Sequence, residues 1–91
     1  MPVQIHIPAA LRALADGEQG LGVEAGSVRD ALAVLLKKHP ALKGRLLDDA
    51  GAMRRFVNIY VNDEDMRHLM NLETPLKNGD VISIVPAIAG G

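Results

Sequence analysis

Residues 81–91, Val-Ile-Ser-Ile-Val-Pro-Ala-Ile-Ala-Gly-Gly, restrict the fold more than any other stretch of the chain. The first five are β-branched or small, the composition of a buried strand. Pro86 has no N–H to donate to a ladder, so the strand is expected to end there. Beyond it, Ala87, Ile88, Ala89, Gly90 and Gly91 carry little side chain with which to hold on to a core, and chain ends are mobile unless tied down. The expectation is a domain over residues 1–86 that finishes in a rigid strand, then a thin, flexible tail over residues 87–91.

Such a tail suits one kind of chemistry. A carboxylate is inert until activated, for instance as a mixed anhydride with a nucleotide. Two closing glycines leave the carbonyl unscreened by any Cβ and open backbone conformations denied to other residues. Five residues beyond Pro86 reach at most about 17 Å, enough to enter another protein's active site. The dipeptide alone is equally compatible with a frayed end that has no role.

Ninety-one residues make one small domain, and a hydrophobic content of 48% is enough for one modest core without staples. The chain has no cysteine, so neither a disulfide framework nor a thiol nucleophile is available. The net charge of −1 argues against a nucleic-acid partner, which calls for a basic surplus. The pairs Lys37-Lys38 and Arg54-Arg55 are too short for a phosphate-binding patch and read as solvated element ends. The start, Met-Pro-Val-Gln-Ile, has neither the basic region nor the apolar run of a signal peptide, and no stretch approaches the ~20 apolar residues of a membrane span. A cytoplasmic protein without membrane contact is expected.

Residues 3–7 alternate, with Val3, Ile5 and Ile7 on one face and Gln4 and His6 on the other, as in a strand with one buried side. Pro8 ends it. Residues 9–15 suit one or two helical turns, Asp16-Gly17 is a turn signal, and residues 19–25 read as a weaker strand with Leu21 and Val23 on one side. Ser27 begins the best-marked helix. It is placed to cap Asp30, and Val28, Ala31, Leu32, Leu35 and Leu36 follow as a single apolar stripe. Lys37, Lys38 and His39 occupy the last turn, where positive charge suits the helix dipole, and Pro40 stops the helix. Residues 41–47 suit another short helical turn presenting Leu42, Leu46 and Leu47, and residues 48–51 a loop. Residues 54–62 form the second clear strand, with Val57, Ile59 and Val61 on one face and Phe56, Asn58, Tyr60 and Asn62 on the other. Residues 66–76 fit either a short edge strand or a helical turn. Asn78-Gly79-Asp80 is a tight turn leading into residues 81–85.

One helical stripe and several half-apolar strands build an α+β domain: a mixed sheet with one main helix packed across one face. The last strand, the most apolar, belongs at the centre, parallel to the first, in an arrangement that allows burial on both faces. This is the β-grasp arrangement of ubiquitin.

Other signals carry less. His6, His39 and His68 are far apart and share no metal-ligand spacing. Asp63-Glu64-Asp65 lacks the remainder of an EF-hand loop and reads as a solvated turn. Gly20-Leu-Gly-Val-Glu-Ala25 matches a loose dinucleotide fingerprint but sits within a hairpin strand, the wrong context for one. Phe56 and Tyr60 are the only aromatic residues, both on the face away from the helix. They either cover the outer sheet or, with Ile88, form an apolar patch for docking a partner.

The β-grasp order with its closing Pro-Ala-Ile-Ala-Gly-Gly resembles the MoaD/ThiS family of sulfur-carrier proteins. The run Arg55-Phe-Val-Asn-Ile-Tyr-Val-Asn-Asp-Glu-Asp65, the Asn-Gly-Asp turn and the end from Val85 are most similar to the CysO-like members, which serve cysteine biosynthesis. The resemblance spans essentially the whole chain. It implies that the Gly91 carboxylate is adenylated by an E1-like, ATP-dependent enzyme and converted to a thiocarboxylate. The tail of Pro86, Ala87, Ile88, Ala89 and Gly90 would enter partner active sites in extended form. It further implies a pyridoxal-phosphate-dependent cysteine synthase as sulfur acceptor and a zinc metallopeptidase that releases cysteine. ATP, pyridoxal phosphate and zinc would belong to those partners, with no cofactor on this chain. The chain would then be a carried substrate rather than an enzyme. A small subunit of molybdopterin synthase and a ubiquitin-like tag conjugated to lysines share the same end and stand as alternatives.

Overall fold

The computed structural model describes residues 2–54 and 57–86. Five strands form one sheet: β1 (Pro2–His6), β2 (Gly20–Glu24), β3 (Val57–Val61), β4 (Glu64–Asp65) and β5 (Val81–Pro86). Their order is β2-β1-β5-β3-β4. β1 and β5 run parallel, and each of the other neighbouring pairs is antiparallel. Helix α1 (Val28–Lys38) and the single turn α2 (Lys43–Leu46) follow β2. The expected mixed sheet with its last strand at the centre is therefore present, and the fold is an α+β β-grasp.

Alternation decides which side of the sheet is buried. Val3 and Ile5 of β1, Leu21 and Val23 of β2, Val57, Ile59 and Val61 of β3, and Ile82 and Ile84 of β5 all face the core. They meet the α1 stripe of Val28, Ala31, Leu32 and Leu35, with Leu36 partly buried at its edge. Burying each of the large aliphatic side chains contributes about 1.5–3 kcal/mol. Ser27 caps α1 as its sequence position requires, its Oγ accepting from the Asp30 N–H at 3.2 Å.

The connections are tighter than their sequences indicate. Residues 66–76 hold two short 3₁₀ turns, Met66–His68 and Asn71–Glu73. The buried Thr74 fastens this segment: its hydroxyl donates to the Asn71 carbonyl and accepts from the Met70 N–H, and its carbonyl accepts from the Val28 N–H at the start of α1. The hairpin from β3 to β4 turns through Asn62 and Asp63, both at positive φ. That left-handed pair is the I′ geometry matching the twist of two adjoining strands.

Two expectations are modified. Of the strand expected over 54–62, Val57–Val61 is strand, Arg54 and Asn62 fall outside it, and Arg55 and Phe56 lie outside the described residues. β5 is central but not covered on both faces: Val81 and Ser83 are half-buried and Val85 is exposed, because the one substantial helix packs on the opposite side. His39, expected in the last turn of the helix, is the residue that ends α1. It is buried, with Nδ1 3.7 Å from Asp16 and Nε2 3.6 Å from Glu18. These separations exceed hydrogen-bond length, and Nε2 has no hydrogen-bond partner among the described residues.

Candidate functional site

The uncovered face of the sheet is built by the residues that alternate with the core. Strand pairing aligns Gly20, His6, Ser83, Tyr60 and Asp65 in a row that crosses all five strands. Val85 lies one step further toward the end of β5, opposite Asn58. At 44% exposure it is among the few large aliphatic side chains open to solvent. Tyr60 is half-buried on this face and lines a shallow cavity with Asn62, Asp63, Asp65 and His68.

Arg67 holds the polar neighbours of Tyr60 in place. Its Nη2 donates to Asn58 Oδ1 and to Asp65 Oδ2, each at 2.7 Å, and its Nε donates to Asp65 Oδ1 at 3.1 Å. The Arg67 side chain, and then its main-chain N–H, bring the Asp65 carboxyl down from 3.8 to about 2. Sequence reading saw only a solvated acidic turn at residues 63–65. The Asp-Met-Arg spacing of an N-capped 3₁₀ turn is the signal that would have paired Asp65 with Arg67.

The start of β5 is pinned. Asn62 Nδ2 donates to Asp80 Oδ1 at 2.9 Å, and Asn62 Oδ1 accepts from the Val81 N–H at 2.9 Å. The second oxygen of Asp80 accepts from the Lys77 N–H, so the main chain of Lys77 first, and then the side chain of Asn62, lower its carboxyl below the usual range. Gly79, at φ 88°, supplies the left-handed residue of this turn and donates to the Pro2 carbonyl. β5 is thus clamped at its base and runs between β1 and β3 toward Pro86.

Of the residues singled out in the sequence, Pro86 is the last of β5, in register with Val57. Tyr60 stands on the open face opposite Ser83, three rows before it. Phe56, Ala87, Ile88, Ala89, Gly90 and Gly91 lie outside the described residues. The three histidines are not brought together: His6 is on the open face, His39 in the core and His68 exposed beside β4. Among the described residues, no group of three or more His, Cys, Asp or Glu side chains is placed to hold a metal ion. Nor is any helix long and apolar enough to cross a membrane.

Comparison with known proteins agrees with this architecture. The ThiS family profile matches residues 5–91. The chain is 37% identical to the sulfur carrier protein CysO of Mycobacterium tuberculosis, with all of both chains covered. Among solved structures it is similar to the CysO/BexX complex of Amycolatopsis orientalis, at 37% identity and a TM-score of 0.87, covering 98% of this chain and 99% of that one. It is also similar to small archaeal modifier protein 1 of Methanosarcina acetivorans, at 34% identity and a TM-score of 0.89, covering 99% and 96% of the two chains. The chain belongs to the MoaD/ThiS family of ubiquitin-like sulfur carriers, and within it to the CysO-like members.

Proposed function

We propose that this chain carries sulfur as a thiocarboxylate on Gly91 and delivers it to cysteine biosynthesis. The observation that carries the reading is full-length similarity to a named sulfur carrier, joined to a Gly-Gly pair that closes the five residues after the central strand. In this reading an E1-like enzyme adenylates the Gly91 carboxylate and a sulfur nucleophile displaces AMP. The thiocarboxylate then attacks an acceptor held by a pyridoxal-phosphate-dependent synthase, and a zinc metallopeptidase frees the product. ATP, pyridoxal phosphate and zinc act on those enzymes.

The domain's contribution is positional. A clamped strand carries the chain to Pro86, and the open face around Tyr60 and Val85 supplies docking area beside that end of β5. An added Ala after Gly91 tests the reading, since it buries the reacting carboxyl in a peptide bond. Activation by ATP is then lost while the fold is kept. Undiminished activation of the extended chain would refute it.

A second reading has support of its own. The similarity to an archaeal modifier protein favours attachment of Gly91 to lysines of other proteins. Lysine-linked conjugates recovered from cells would favour that reading, and a thiocarboxylate without conjugates the first.

A further inference from the structure

Where β1 leaves the sheet, it leaves β5 with an open edge. The pairing of β1 with β5 stops at His6 and Ser83, whereas β3 stays paired with β5 as far as Pro86. The ladder fixes which groups face the gap. The Gln4 N–H donates to the Asp80 carbonyl and the Asn62 N–H to the Val81 carbonyl. Even-numbered residues of β5 therefore turn their main chain toward β1 and odd-numbered ones toward β3. The carbonyl of Ile84 faces the position where residue 8 would bring an N–H, and residue 8 is proline. Pro86, the next even residue, has no N–H either. The edge beside the exit of the chain thus offers acceptors without donors.

An open cavity of about 420 Å³ adjoins this edge, lined by Gln4, His6, Pro8, Arg12, Gln19 and Ile84 among others. Among the described residues Arg12 is its one formal charge. Arg12 Nε donates to the Ile7 carbonyl at 3.1 Å, and its two terminal nitrogens have no hydrogen bond or ion pair among the described residues. The acidic residues next along the chain are turned elsewhere: Asp16 lies 3.7 Å from His39, and Glu18 lies 3.6 Å from His39 and 3.8 Å from Lys38.

We propose that the ATP-dependent activating enzyme grips the folded body at this cavity. It does so with an extended segment that brings a main-chain N–H to the Ile84 carbonyl and an Asp or Glu carboxylate to Arg12. A guanidinium with two open nitrogens is matched by a carboxylate in a planar fork. A strand edge holding only acceptors takes a donor-bearing segment by strand addition. The contact begins two residues before Pro86, so it holds the body beside the end of the strand that leads to Gly91. This assignment rests on the carrier reading above.

The test is steady-state adenylation, read as pyrophosphate release, with the enzyme that activates the wild-type chain. Arg12→Glu raises KM about tenfold or more with kcat little changed, and Arg12→Lys falls between it and wild type. Because Arg12 also binds the Ile7 carbonyl, Gln19 provides variants that keep that bond. Gln19→Glu raises KM about threefold and Gln19→Lys lowers it by a similar factor. Lys37→Glu, exposed in the last turn of α1, leaves KM unchanged. A KM indifferent to Arg12→Glu and to both Gln19 variants, with wild-type activation intact, overturns this assignment alone. Absence of wild-type activation overturns the carrier reading and this assignment with it.

Discussion

Asn62 and Asp80, eighteen residues apart, are joined by a 2.9 Å hydrogen bond at the base of the central strand, with Asn62 Nδ2 donating to Asp80 Oδ1. The same Asn62 side chain accepts from the Val81 N–H, and its main-chain N–H donates to the Val81 carbonyl. One residue thereby ties the β3–β4 turn to the start of β5, the strand that leads to the tail. Asn62 also sits at φ 50°, a left-handed conformation that asparagine tolerates better than most residues. Asn62→Ala is expected to lose about 1–3 kcal/mol of stability in urea denaturation, through both the lost bonds and the backbone strain. Asn62→Gly keeps the conformation and loses less. Equal losses in the two variants would show that backbone strain contributes little.

Acid should loosen the same region. The carboxyls of Asp65 and Asp80 are both lowered in the folded chain, Asp65 to about 2. A carboxyl whose folded value lies below its unfolded value adds stability above the unfolded value, and that share is lost as pH falls through the folded one. The denaturation midpoint is therefore expected to hold steady above about pH 5 and to fall between about pH 4 and 2. Arg67→Ala should return the Asp65 carboxyl toward 3.8, followed by its side-chain carbon resonance in an NMR titration. An unmoved Asp65 titration would show that Arg67 is not its controlling partner.

On the open face, Tyr60→Ala is expected to weaken docking more than folding. Tyr60 is half-buried, and aromatic anchors of this kind carry a large share of interface energy. KM for activation should rise about tenfold while the circular dichroism spectrum is retained. Phe56→Ala, tested beside it, should act in the same direction. Unchanged KM in both would remove this face from the docking surface.

Helix α1 depends on its first cap. Ser27→Ala removes the acceptor for the Asp30 N–H and should cost about 1 kcal/mol, whereas Ser27→Asp should be close to neutral. Thermal melting of the two variants distinguishes capping from a general intolerance to change at this site.

Much of this architecture was legible because it rests on period. Val3 and Ile5, Val57, Ile59 and Val61, and the stripe from Val28 to Leu35 announce which face of each element is buried, and those faces meet in the core. The apolar run at residues 81–85 announced the central strand, since little else in the chain can stand between two neighbours. What stayed hidden depends on distant partners. Nothing local says that His39 is buried beside Asp16 and Glu18, because the residues that enclose it come from another connection. The segment at residues 66–76 has no dominant period, and its two turns are fixed by Thr74 and by the start of α1. The outer row through Ser83 and Tyr60 follows from register, which a single strand does not encode. Recognition of Gly91 came from its resemblance to a family, since a glycine pair alone fits a frayed end equally well.

The most direct test of the central claim is the intact mass of the chain after incubation with a cognate activating enzyme, ATP and a sulfur donor. Exchange of one oxygen for sulfur predicts a gain of about 16 Da, localised by fragmentation to Gly91. An unchanged mass, or a gain localised to any other residue, would contradict it.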